Sequence, residues 1–105
     1  MAFANEGKIT DIEYWGRVRC YCPLGRDFYS ADVVVSISDP QMIPDYCDLD
    51  AKLRKMDGKE LTLEEACYRF FKFCRKQIKH GYLKVSVYSA DATHSPVKVS
   101  KWDYV

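Results

Sequence analysis

Seven consecutive residues, Cys22-Pro23-Leu24-Gly25-Arg26-Asp27-Phe28, carry the sharpest chemistry in the chain. A cysteine becomes a nucleophile when its pKa is lowered, and a nearby acid can carry a proton. Cys22 is therefore the candidate nucleophile and Asp27 the candidate proton carrier, with Arg26 the positive neighbour that would favour a thiolate. Turn chemistry also accounts for every residue of the stretch. Pro23 and Gly25 punctuate a hairpin loop, and Cys22 would then simply face the core.

Three more residues are candidates for binding. Glu64 and Glu65 are carboxylates, each able to accept two N–H bonds from a ligand. His94 falls in the turn expected over Asp91–Pro96, where in a closed assembly it would face a neighbour's pocket. His80 is expected in the last turn of a helix, where it complements the dipole. These are the only two histidines, and no metal site or cofactor is expected. The five cysteines are odd in number, and Cys20-Tyr21-Cys22 is too tight for a C-x-x-C zinc or redox motif. Cys67 and Cys74 read as small buried hydrophobes on one helix face.

The chain has 105 residues and a net charge of +1, with 48% hydrophobic residues, which fits one globular domain over 1–105. It has no apolar run of membrane length and no export signal at its start, so the cytoplasm is the expected address. A near-neutral chain is not expected to bind nucleic acid. The run Arg69, Lys72, Arg75, Lys76 and Lys79 reads as a solvated helix face.

The elements that must position these residues follow from periodicity. Val18, Cys20 and Cys22 alternate against Arg17, Arg19 and Tyr21, which is strand patterning from Lys8 to Cys22, with a bulge or break expected at Gly16. Phe28–Ser38 sets Ala31, Val33, Val35 and Ile37 against Asp32, Val34 and Ser36. Asp45 is the expected N-cap of a helix whose stripe is Tyr46, Leu49, Leu53 and Met56, ended by Gly58. Thr62-Leu63-Glu64-Glu65 spells a capping box for a second helix ending near Gly81. Tyr82–Ala90 and Val97–Trp102 are strands, with Leu83, Val85, Val87, Val97 and Val99 inward. Residues 1–7 read as a loose start. The result is an α+β order, ββααββ, giving a four-stranded antiparallel sheet with both helices on one face. Its two edges would be open, and oligomerisation into a barrel would close them.

That order resembles the tunnelling fold of 6-pyruvoyl-tetrahydropterin synthases, 6-carboxytetrahydropterin synthases, 7-cyano-7-deazaguanine reductases, dihydroneopterin aldolases and GTP cyclohydrolases. Residues 42–53, M-I-P-D-Y-C-D-L-D-A-K-L, look like the pterin synthase passage from a strand through an Asp-aromatic pair into a helix. Leu61-Thr62-Leu63-Glu64 is similar to the start of that family's second helix. The resemblance covers most of residues 8–100. It departs where the pterin synthases place catalytic elements. Gly25 lies between Leu24 and Arg26 instead of histidines, Asp57-Gly58 stands where the family has an Asp-His pair, and Ser89 falls near its pterin-anchoring glutamate. The reductases carry Cys-Pro-x-x-Gly-x-x-Asp-aromatic, whose cysteine adds to a nitrile and whose acid moves a proton. The stretch from Cys22 to Phe28 resembles it with two loop residues fewer.

The resemblance implies two functions. With three pterin synthase elements missing, the favoured one is a non-catalytic binding or assembly protein on a homo-oligomeric scaffold. The alternative is an enzyme acting on a pterin or deazapurine-like small molecule through Cys22 and Asp27.

Overall fold

Alternation of apolar and polar side chains organises the molecule around one sheet. The computed structural model describes residues 1–92 and 94–105. In chain order the elements are β1 (Phe3–Ala4), β2 (Asp11–Cys22), β3 (Asp27–Ser38), β4 (Met42–Ile43), α1 (Tyr46–Met56), α2 (Leu63–Gln77), β5 (Tyr82–Asp91) and β6 (Val97–Tyr104). The main sheet is antiparallel in the order β2-β3-β5-β6. Its inner face presents Val18 and Cys20 from β2, Ala31, Val33, Val35 and Ile37 from β3, and Leu83, Val85 and Val87 from β5, all buried. Helices α1 and α2 cover that face with Leu49, Leu53, Met56, Ala66, Phe70 and Cys74. The expected α+β arrangement is thus the observed one.

Both helices start where their caps say. Asp45 Oδ1 accepts from Cys47 N at 2.9 Å. Thr62 Oγ1 accepts from Glu65 N at 3.2 Å while Glu65 Oε1 accepts from Thr62 N at 3.1 Å, the complete capping box.

Several expectations are corrected. Residues 1–7 are not merely loose, because Phe3 and Ala4 pair with Ile43 and Met42. Gly16 marks neither bulge nor break: β2 pairs with β3 in one register from Asp11 to Cys22. Its role is steric, since a Cβ there would lie 2.5 Å from Leu53 Cδ1 of α1. Tyr46 leaves the buried stripe, standing 44% exposed and stacking on Tyr14. Helix α2 stops at Gln77, so His80 lies beyond it rather than in its last turn. Arg75 is not a solvated charge. It bonds the carbonyls of Ile78 and Gly81 and pairs with the Asp103 carboxylate, tying the end of α2 to β6. Val97 faces inward but sits exposed at the rim of a cavity. The turn expected over 91–96 contains Thr93, which lies outside the described residues, and β5 runs through Asp91.

Two substitutions test this packing by chemical denaturation. Thr62→Ala, which removes the cap, is expected to cost about 1 kcal/mol. Gly16→Val is expected to cost roughly 1–3 kcal/mol or more, because the added carbons enter space held by Leu53. A neutral Gly16→Val would contradict the tight α1–β2 contact.

Candidate functional site

The link between the helices brings the start of α2 to the β2–β3 hairpin. Gly58 N donates to Arg19 O at 2.8 Å, Tyr21 N to Lys59 O at 2.9 Å and Leu61 N to Tyr21 O at 3.0 Å. Asp57 Oδ1 accepts from Arg19 N at 2.9 Å. The link therefore lies alongside the β2 edge as a short parallel bridge, Tyr21 opposite Glu60. That covers part of an edge expected to be open. Asp57-Gly58 is thus a docking element, and Gly58 holds a left-handed φ of 78° that few other residues adopt without strain. On the inner face, Tyr29 Oη donates to Leu61 O at 2.7 Å, one residue before the Thr62 cap.

Beside this junction the hairpin closes on Cys22 opposite Asp27. Directly opposed residues of an antiparallel pair share a face, with Cβ atoms roughly 5 Å apart. Cys22 and Asp27 follow the phase of Cys20 and Tyr29, so both belong to the inner face, just beyond the core. The intervening turn is tight. Arg26 takes φ 56° and its N–H donates to Cys22 O at 2.8 Å. Gly25 N donates to Cys22 Sγ at 3.4 Å, which orients the sulfur. Asp27 Oδ1 accepts from Phe28 N at 2.8 Å.

Cys22 and Asp27 line a cavity of about 220 Å³ together with Glu64 from the first turn of α2, Ser89 from β5 and His94. Leu24, Phe28, Leu63, Ala92 and Val97 supply apolar walls. Four of the five residues singled out from sequence therefore meet in one place. Glu65 does not join them, because it is committed to the capping box and lies on a groove with Lys52, Arg69 and Lys72. Arg26, expected beside the sulfur as a charge, does not line the cavity and contributes its backbone to the turn. His94 Nδ1–H donates to Ser95 O at 2.7 Å, a bond that does not use Nε2. Sequence reasoning noted Ser89 only as the position near which the pterin-anchoring glutamate is missing, and did not count it among the site residues. The signal was present: it continues the inward phase of Leu83, Val85 and Val87, where a polar residue is out of place.

The cysteines divide by environment. Burial pushes the thiols of Cys20 and Cys67 up and that of Cys74 up to about 12. Burial also raises the Tyr29 phenol, so it stays a neutral donor to Leu61. Cys22 is half-buried at the cavity and Cys47 is exposed on α1. All five are free thiols. Among the described residues, no group of three or more His, Cys, Asp or Glu side chains is placed to hold a metal ion. No helix is long and apolar enough to cross a membrane.

No protein family and no curated protein sequence matches the chain. Among solved structures, the chain is similar to the archaeosine synthase QueF-Like in its apo form. The two share 18% identity and a TM-score of 0.81, over 90% of this chain and 93% of that one. The fold is therefore the tunnelling fold.

The division among cysteines predicts an order of alkylation. At pH 8 a raised pKa means less thiolate, so Cys20, Cys67 and Cys74 should resist iodoacetamide until the protein is denatured. Cys22 and Cys47 should be modified in the native protein. Peptide mapping by mass spectrometry reads the order, and native labelling of Cys74 at the rate of Cys47 would refute it.

Proposed function

We propose that this chain is an enzyme that adds the Cys22 sulfur to the nitrile carbon of a deazapurine-like substrate. The observation that carries the reading is the hairpin-closing pair: Cys22 and Asp27 are cross-strand partners on one face, at the wall of a base-sized cavity. The loop is two residues shorter than the reductase pattern, yet pairing across the strands keeps nucleophile and acid together. The likeness to an archaeosine synthase favours the same reading over a non-catalytic role. The case for a non-catalytic protein rested on missing pterin synthase elements, none of which this addition uses.

In the proposed step the sulfur of Cys22 forms a bond to the nitrile carbon and one C–N π bond breaks. The nitrile nitrogen takes a proton from Asp27, and Asp27 recovers a proton from the Cys22 thiol or from solvent. The net change is addition of S–H across the triple bond, giving a thioimidate with no oxidant or reductant needed. Glu64 accepts N–H bonds from the ring, as a carboxylate does from a guanine-type edge. His94 lines the same cavity and is a further hydrogen-bonding group there.

The outer face of the sheet supports a homo-oligomeric reading of the same fold. Trp15 is 71% exposed and Trp102 60%, beside Tyr88 and the edge strand β6. Other copies would cover that face and pair that edge, as in a barrel. Light scattering should then report an assembly larger than a monomer.

Incubation with 7-cyano-7-deazaguanine followed by intact-mass measurement tests the chemistry. One equivalent of ligand mass should appear on the peptide holding Cys22. Cys22→Ser should give no adduct, and Asp27→Asn should slow formation by about 10²-fold or more. A Cys22→Ser protein that still forms the adduct would sink the assignment.

A further inference from the structure

Ser89 is a buried serine on the inner face of β5. It is 2% exposed, and its Oγ has no hydrogen-bond partner among the described residues. Such groups are rare in folded proteins, because a buried hydroxyl without a partner has lost its water for nothing. The neighbours explain why none is found inside the fold. Ser89 pairs with Ala31 on β3 and Val97 on β6, neither of which carries a polar side-chain atom. The residues before it on the same face, Leu83, Val85 and Val87, are apolar and buried. A valine in this place would continue the core. Ser89 instead lines the cavity that also holds Cys22 and Glu64.

The position within the cavity separates two ends. Cys22 and Asp27 lie at the tip of the β2–β3 hairpin. Ser89 lies across the sheet on β5, opposite Ala31, four residues along β3 from Asp27. Glu64 projects from the first turn of α2. One end of the cavity thus holds the reacting groups, and the other holds Ser89.

We infer that Ser89 is a specificity-determining residue: its hydroxyl bonds the polar edge of a heterocyclic ligand and so aims the ligand's nitrile toward Cys22. The inference rests on the deazapurine-nitrile reading of the cavity. A serine hydroxyl both donates and accepts, so it pairs with a ring carbonyl, a ring nitrogen or an amino group, but gains nothing from a hydrocarbon edge. Ligand binding supplies a bond that the hydroxyl finds with none of the described residues. It follows that removing the hydroxyl harms recognition without harming the free fold.

Two probes of similar shape test this. 7-Cyano-7-deazaguanine has a polar six-membered edge, while indole-3-carbonitrile presents the nitrile on a similar bicycle whose six-membered edge is hydrocarbon. Protection of Cys22 from iodoacetamide measures the affinity of each for wild type and Ser89→Ala. Wild type is expected to prefer the polar-edged compound by about tenfold or more, and Ser89→Ala to lose about tenfold of that preference while holding indole-3-carbonitrile equally well. The melting temperature of free Ser89→Ala should equal or exceed that of wild type. An unchanged preference in Ser89→Ala would overturn the role of Ser89 and leave the nitrile chemistry standing. So would a lowered melting temperature, which would show the hydroxyl already bonded in the free protein. If wild type binds neither compound, the deazapurine-nitrile reading falls and the role of Ser89 falls with it.

Discussion

The site depends on how the link between α1 and α2 docks on the edge of β2. Gly58, Lys59 and Leu61 exchange backbone hydrogen bonds with Arg19 and Tyr21, and the Asp57 carboxylate takes the Arg19 amide. Each bond contributes only about 1 kcal/mol net, yet together they set a register. Because Tyr21 immediately precedes Cys22, that register places the α2 start against the hairpin. Tyr29 repeats the constraint from the next strand by bonding Leu61 O from beneath. Glu64 can then face the same cavity as Cys22 although 42 positions separate them in the chain. The left-handed Gly58 and the acid before it are fully used by this junction.

The cavity itself is the place where an apolar face stops. Along β2 the inner positions run Val18, Cys20, Cys22. Along β3 they run Ala31, Tyr29, Asp27, and along β5 Val85, Val87, Ser89. All three rows become polar toward the same end of the sheet, beyond the reach of the Phe70 and Leu49 core. Short strands ending there would leave a featureless rim. The α2 start roofs the polar end instead, so these groups line a cavity. The same logic explains the thiols. Cys20 is one inward step nearer the core than Cys22, and burial raises its pKa.

Much of this was legible from residue order. Alternation in β3 and β5 separated the two faces correctly, and Asp45 and Thr62 marked both helix starts. Other features carried no local signal. The two-residue strands β1 and β4 are too short for any period to show. Gly16 looks like a strand breaker in one dimension and is a seat for Leu53 in three. Arg75 sits in a basic run and reads as solvated, while the return of β6 brings Asp103 to meet it. Glu64 and Glu65 are adjacent and chemically alike, and only the helix geometry assigns one to the cap and the other to the cavity.

The sequence by itself determined the four long strands, both helices, their N-caps and the face most of their side chains take, because those follow from neighbours two to four residues away. It also held Cys22 and Asp27 together, since a short hairpin makes them partners across the turn. Tertiary structure decided what stands opposite them. Glu64, Ser89 and His94 reach the cavity through the docking of one link and the pairing of distant strands, contacts whose partners lie tens of residues apart. No local pattern encodes such contacts, so the sharp motif was visible in the chain and its surroundings were not.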